Sequence, residues 1–411
     1  MDYSDSINDE KESLFEELEE RNLYLPGMEP GNYGSHFMEA SIQTRWQDEL
    51  ANSVTTIEEL KEYVDLAAEE EEKLQKVIDL HPMSIPRYYL SLIDPKDPDD
   101  PIRKMAIPSV NELDVTGCYD TSGEKANTKL PGLQHKYKNT VLLLSANVCS
   151  MYCRHCFRKR MVGLTNDEVM NRFNEAYEYI GAHPEVNNVL ISGGDSLILP
   201  TQVIAHLLEK LTRLPHLDYI RFGTRMVLAY PDRILKDDEL LEVFHAYSKK
   251  DRRIFLSTQF NHPSEITEQS TEAVSRIIES GVIVNNQTVL PRGVNDTPEI
   301  LADLQKNLVR IGVNPYYVFQ CRPVKRVKSH FQVPLAEGCR IVDEARGMLD
   351  GVSKRFRYTM SHEKGKIEIL GVIGDEMFFK HQQARDPDDA SRFFKRKLDE
   401  SAGWLDELQE N

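Results

Sequence analysis

Thr140-Val-Leu-Leu-Leu-Ser-Ala-Asn-Val-Cys149-Ser-Met-Tyr-Cys153-Arg-His-Cys156-Phe-Arg-Lys-Arg160 begins as an apolar run and ends as a loop carrying three cysteines. The run Val141–Leu144 predicts a strand, and five further β-rich segments repeat its signal. These are Asn188–Ser192, Tyr219–Gly223, Ile254–Ser257, Val282–Val289 and Pro315–Phe319. Helical stretches lie between and after them, at about 166–182, 201–213, 236–248, 264–280, 298–311 and 336–349. Six such units in a row imply an α/β fold, a parallel sheet with helices outside it. Near-continuous apolar strands imply cover on both faces. A partial barrel and an open doubly wound sheet both satisfy this pattern, and periodicity does not choose between them.

Outward from this series the texture changes. Trp46 to Leu80 reads as helical, with Thr56 before Glu58 and Glu59 at a helix start, and Leu60, Tyr63, Val64 and Leu66 at helical spacing. Glu69–Glu72 is a solvated helix face. Residues 1 to about 40 are polar and acidic, and mobility is expected at their start. The connector IDPKDPDDPIRKMAIPSVNEL, 93–113, is expected to be irregular because each proline removes a donor. In the tail, Ile367–Val372 is strand-like, whereas DDASRFFKRKLDESAGWLDEL, 388–408, reads as helical. Three regions follow: an acidic helical N-terminal region with its connector (1–110), a βα core (111–350) and a small C-terminal segment (351–411).

Composition narrows the function. The 411 residues are 40% hydrophobic and 8% aromatic, ordinary values for a globular protein. No apolar run approaches the roughly 18 residues of a membrane span, and the acidic first twenty residues hold no apolar h-region. A cytoplasmic protein is therefore expected, with its six cysteines as thiols, metal ligands or redox groups. Residues 1–80 hold 22 acidic and 6 basic side chains, so −16 of the net −17 lies there. Duplex nucleic acid needs a basic face and is excluded as a partner.

Cys149, Cys153 and Cys156 sit on one loop after the first strand of the series, where thiolates can converge on one metal centre. Three thiols leave one iron of a [4Fe–4S] cluster without a protein ligand. A structural zinc site closes with a fourth ligand, and His155, between two of the thiols, is awkwardly placed for it.

This segment resembles the radical S-adenosylmethionine enzymes, whose hallmark is CxxxCxxC after the first barrel strand. The likeness narrows to the lysine 2,3-aminomutase family through Cys149–Cys156, Ile191-Ser-Gly-Gly-Asp195, Gly223-Thr-Arg225, Phe260-Asn-His-Pro263 and Asn286–Asp296. RWQDELANSVTTIEEL at 45–60 and YYLSLIDPKDPDDPIRK at 88–104 extend it, so that it spans about residues 40 to 350. The resemblance implies a partial six-stranded parallel (β/α) barrel with a helical N-terminal extension. It also implies an isomerase that moves an amino group between the α and β carbons of an amino acid through a 5′-deoxyadenosyl radical.

Roles follow by position. The three cysteines hold the cluster, whose open iron chelates S-adenosylmethionine. Gly193, Gly194 and Asp195 at a strand end, with Arg225 and Gln287 at later strand ends, serve that cofactor. The two glycines are expected to admit a ligand close to the backbone. Arg158 matches the arginine that takes the substrate α-carboxylate, a task suited to a guanidinium fork. Lys366 matches the lysine that carries pyridoxal 5′-phosphate, and Lys136 and Tyr137 lie where its phosphate is held. An electron donor of the flavodoxin or ferredoxin type and a homo-oligomer complete the expectation.

Departures from the family pattern carry information. His362, Glu363 and Lys364 replace glycines before Gly365-Lys366, Thr140 replaces an arginine, and Gln259 replaces a histidine. Lysine-specific members bind the distant ammonium with two aspartates, at positions that here hold Arg322 and fall near Thr359. Arginine repels an ammonium and attracts a carboxylate, so an acidic amino acid, glutamate first, is the expected substrate; Glu337 is an alternative internal partner for Arg322. The family's C-terminal zinc cysteines are missing, and Cys321 and Cys339 read as packed thiols. Two other readings stay open: a radical enzyme without pyridoxal phosphate, and an iron–sulfur electron-transfer or sensor protein.

Overall fold

All six expected strands form, inside a longer sheet. The computed structural model describes residues 45–164, 169–170 and 173–409. The acidic stretch before residue 45 and the start of the 166–182 helix lie outside the described residues. Twelve strands hydrogen-bond in chain order. β1 (Thr128–Leu130) and β2 (Leu133–Tyr137) run antiparallel into β3 (Thr140–Ala146). From β3 the sheet is parallel through β4 (Asn188–Gly193), β5 (Tyr219–Gly223), β6 (Arg253–Thr258), β7 (Ile283–Leu290), β8 (Asn314–Gln320) and β9 (Arg357–His362). Then β10 (Gly365–Ile373), β11 (Glu376–Ala384) and β12 (Phe393–Lys397) continue antiparallel. Six parallel strands were the expectation; the parallel run holds a seventh and is extended at both edges.

The strands are also not covered equally on both faces. Along β5 to β7, burial alternates with half-exposure. Ile220, Phe222, Ile254, Leu256 and Val284 pack under the helices in one core with Leu207, Phe244 and Ile277. On the other face Arg221, Phe255, Ser257, Asn285 and Gln287 are only partly buried. That face looks into the inside of a curled sheet. Lys136 on β2 donates to the His362 carbonyl at the end of β9. In a flat sheet those strands would stand roughly 34 Å apart, seven spacings of about 4.8 Å. Curling brings the early and late strands together around one lumen.

Local chemistry explains the elements that frame it. Thr56 and Glu59 form a reciprocal cap at the helix Ile57–Leu60, as its sequence predicts. Trp46, 2% exposed, lies under the Arg233 guanidinium at 4.4 Å and ties the N-terminal helices to the core. Within the connector, Pro101–Ala106 is a helix rather than irregular chain. Pro101 occupies the first helical position, where its missing N–H costs nothing, and the Asp100 carboxylate accepts from the Arg103 amide at 2.7 Å. The segment 388–408 also departs from its helical reading: Phe393–Lys397 pairs with β11, and Phe394 stacks on Phe379 at 5.3 Å. Pairing satisfies the open edge of β11, and that gain outweighs helical propensity.

Candidate active site

The cysteine loop leaves the end of β3 and is pinned from below. Arg154 donates from Nε and Nη2 to the two Glu112 oxygens at 2.8 and 2.6 Å, and Lys159 reaches the same carboxylate at 2.6 Å. Burial pushes the Glu112 carboxyl up, yet the Lys159 and Arg154 charges outweigh it and hold it at about 2. The remaining donors are used as well: Arg154 meets the carbonyls of Pro82 and His81, and Lys159 meets that of Arg154. His155, driven neutral by burial, faces the Asn261 amide at 3.1 Å.

Above this floor the three cysteines are free thiols. Burial, then the charges of Asp195 and the other two sulfurs, push the Cys149 thiol well up, and burial with Cys153 brings Cys156 to about 11. Such mutual coupling marks sulfurs that share one small volume. Among the described residues no three His, Cys, Asp or Glu side chains close on a single ion. The three thiols instead fit a cluster, whose cysteine-bound irons occupy separate corners and whose charge deprotonates thiols outright.

Gly193 and Gly194 are required by packing against this loop. A Cβ on Gly193 (φ +121°) would stand 2.2 Å from the Ala146 carbonyl oxygen, and one on Gly194 would stand 2.0 Å from that of Val148. The close approach is thus strand end to cysteine loop, where the sequence reading placed a ligand. Asp195 is buried and accepts from the Leu197 and Arg225 amides and from the Thr224 hydroxyl at 3.0, 2.6 and 2.6 Å. Burial raises its pKa. Arg225 reaches the Cys153 sulfur and pairs with Glu265 at 2.5 Å beside the Tyr89 hydroxyl. Gln287, half-buried on the lumen face of β7, lies beside Tyr317 of β8.

The lumen is strongly cationic. Lys366 on β10 points its amine at the Tyr317 and Phe319 rings, 4.3 and 5.6 Å from their centroids. Burial first, then Arg221, Lys136, Arg322 and Arg357, lower its pKa to about 7. Lys136 is likewise brought to about 7 by burial and Arg322, and donates to the Ser122 carbonyl at 3.1 Å. Tyr137, beside Ser361, is pushed up by burial. Arg158 and Arg322 share one aromatic surface: their guanidinium carbons lie 4.6 and 4.0 Å from the Phe157 centroid. Burial lowers the Arg322 pKa to about 10, against the pull of Glu124. Glu337, the alternative partner, pairs with Arg292 at 2.7 Å instead. Thr359 is fully buried and its hydroxyl has no partner among the described residues.

A buried amine poised near neutrality among cations fits an aldehyde cofactor bearing a phosphate. The residues that replace the glycines before Lys366 build a defined turn. His362 Nδ1 accepts from the Lys364 amide at 3.2 Å, which puts the ring proton on Nε2, 2.9 Å from Asp406. Gly365 (φ +145°) stays glycine because a Cβ would meet the Gln383 carbonyl at 2.1 Å. Sequence reading missed Glu112, Ser122, Glu124, Glu265 and Arg221. Two had a signal: Glu112, which closes the capping box that Ser109 opens, and Glu265, the acid closing a turn directly after Phe260-Asn-His-Pro263.

No family model matches the chain. L-lysine 2,3-aminomutase of Clostridium subterminale is 41% identical over 309 residues, 74% of this chain and 73% of that one. L-lysine 2,3-aminomutase of Bacillus subtilis is 33% identical over 88% of this chain and 80% of that one. Glutamate 2,3-aminomutase of Clostridioides difficile is 35% identical over 75% and 72%. Among solved structures, Escherichia coli coproporphyrinogen III oxidase, a radical S-adenosylmethionine enzyme, aligns with a TM-score of 0.33 at 14% identity, covering 60% and 68%. With the aminomutase relatives, the loop of three cysteines after the first parallel strand defines a radical S-adenosylmethionine enzyme. The chain belongs to the lysine 2,3-aminomutase family, a family of isomerases. That family implies a [4Fe–4S] cluster and S-adenosylmethionine, and lysine 2,3-aminomutase also uses pyridoxal 5′-phosphate.

Proposed function

We propose that this enzyme interconverts the 2-amino and 3-amino forms of an acidic amino acid, with glutamate the first substrate to test. The observation that carries the reading is the pair Arg158 and Arg322 on one Phe157 ring, with no acidic side chain at position 322 or 359. Two guanidiniums within about 8.6 Å of each other offer two carboxylate forks and repel a distant ammonium. A glutamate 2,3-aminomutase among the relatives supports the same choice.

Cys149, Cys153 and Cys156 hold the cluster in this reading. Asp195, Gln287 and Arg225 frame the S-adenosylmethionine side, with Gly193 and Gly194 closing the wall between strand and loop. Lys366 carries pyridoxal phosphate, and Lys136 and Tyr137 face its phosphate. When bound, these groups supply one-electron cleavage, hydrogen abstraction and electron delocalisation. The chain's own residues bind and orient: Arg158 takes the α-carboxylate, Arg322 the side-chain carboxylate, and a neutral Lys366 amine is available near pH 7. The curled β3–β8 run is read as a partial six-stranded barrel, flanked by the regions 1–110 and 351–411. A cytoplasmic location, a flavodoxin- or ferredoxin-type donor and a homo-oligomer belong to the same proposal; no helix among the described residues is long and apolar enough to cross a membrane.

Anaerobic turnover with S-adenosylmethionine and dithionite tests it. Glutamate should yield 3-aminoglutarate faster than lysine yields its 3-amino isomer. Faster turnover of lysine would overturn the substrate assignment. A cluster protein that releases no 5′-deoxyadenosine with any amino acid would instead favour an electron-transfer or sensor role.

A further inference from the structure

Four of the cations at the site converge on one short segment, Asp120-Thr-Ser122-Gly-Glu124. Glu124 is buried, and its two oxygens take Arg158 Nε at 3.2 Å and Arg160 Nη2 at 2.6 Å. Ser122 accepts from Arg322 Nη1 at its hydroxyl, 2.9 Å, and from Lys136 at its carbonyl, 3.1 Å. The segment is itself stiff. Asp120 accepts from the Glu124 and Lys125 amides at 2.8 and 3.1 Å, and Gly123 takes the left-handed conformation at φ +68°. Burial pushes the Glu124 carboxyl up, but Arg158, Arg322 and Arg160 outweigh it and leave it lowered, so it stays ionised.

We infer that Ser122 and Glu124 are positioning residues that set the orientation and spacing of Arg158 and Arg322, and through them the length of dicarboxylate accepted. The inference rests on the assignment of those arginines to substrate carboxylates. A guanidinium binds a carboxylate bidentately only when its plane is fixed. Phe157 supports both planes by stacking, but a ring face does not set rotation within the plane. For Arg158, Glu124 sets it through Nε, together with the Gly193 carbonyl and the Ser192 hydroxyl, which accept from Nη1 at 3.1 and 3.3 Å, and Nη2 is left for a ligand. Ser122 does the same for Arg322 through Nη1. Because both anchors lie two residues apart on a stiff turn, one short segment sets the gap between the two guanidiniums.

Holoenzyme variants test this by separating KM from kcat. Glu124→Gln should raise KM for whichever amino acid is turned over by about tenfold, the size expected for a lost charged hydrogen bond. Its kcat should stay within about threefold of wild type, and its iron content and 5′-deoxyadenosine release should be retained. Glu124→Asp, which keeps the charge, should recover part of the loss. Ser122→Ala should raise KM for glutamate about threefold or more and leave that for lysine unchanged, because lysine has no second carboxylate. A fall in KM in Glu124→Gln would mean that Glu124 competes with substrate, and would overturn the inference. Loss of kcat or of iron at constant KM would overturn it too. If lysine is turned over and glutamate is not, the substrate assignment fails, while the Glu124→Gln effect is still read on lysine through Arg158.

Discussion

Two glutamates hold cations of the same loop, and they do so to different ends. Glu112 lies under the loop, sealed from water, with Arg154 and Lys159 at 2% and 5% exposure. Every donor nitrogen there finds a carboxylate or a backbone carbonyl. Glu124 lies twelve residues further on, beside Arg158, whose Nη2 meets no acceptor among the described residues. Among the described residues Lys366 has ring faces and no hydrogen-bond acceptor, and buried Arg221 Nε has no partner. A saturated network fixes a loop; an unsaturated one awaits a ligand. Burial and charge alone would not have told the two apart, since both are buried and both are cation-rich.

The largest effect is expected from breaking the saturated network. Glu112→Ala leaves Arg154 and Lys159 buried without their carboxylate, a loss of about 3–5 kcal/mol. Denaturation of the iron-free protein should show it, and the purified variant should retain little iron, because the cysteines ride on the same loop. Glu124→Ala should cost about 1–3 kcal/mol, since its cations keep access to the lumen. Equal losses in the two variants would break the comparison.

Next in size is a change of preference in the lumen. Arg322→Asp replaces a cation beside Phe157 with an anion. Discrimination between glutamate and lysine should move toward lysine by about a hundredfold, the equivalent of about 2.7 kcal/mol for one reversed charge contact. Competition between the two amino acids in one reaction measures the ratio directly. An unchanged ratio would place Arg322 outside the substrate contacts.

Much of this could be read in the sequence because the signals are local. The six strands and their helices announce themselves by periodicity, and Cys149, Cys153 and Cys156 by spacing. What stayed hidden is set by partners far along the chain. Lys136 meets the carbonyl of His362, 226 residues later, only because the sheet curls. Nothing local in Asp120–Glu124 separates it from any polar loop, since its role depends on where Arg158, Arg322 and Lys136 arrive. The Phe393–Lys397 strand was misread for the same reason: its mixed charges suit a helix, and the unpaired edge of β11 decides otherwise. Gly193 and Gly194 were singled out for a close approach to a ligand, and the backbone they approach is their own protein's.

The smallest effect sharpens the contrast through titration. Two buried lysines can be compared across the regions. Lys159 is lowered by burial, but Glu112 beside it limits the fall to about 8. Lys366 is lowered by burial and then by four cations, Arg221, Lys136, Arg322 and Arg357, and falls to about 7. Unfolded lysine titrates near 10.4. Between about pH 7 and 10 the folded chain therefore binds fewer protons at Lys366 than the unfolded one. Stability contributed by this group rises with pH across that window and is flat below it. Capture of pyridoxal phosphate by the cofactor-free enzyme needs the neutral amine, so its rate should climb about tenfold per pH unit below 7 and level off above about 8. Lys136→Met removes one of the repelling charges, raises the Lys366 pKa and should move the midpoint upward by about half a unit to one unit. A midpoint that stays near 10, or that moves down in Lys136→Met, would mean that the two amines do not share one lumen.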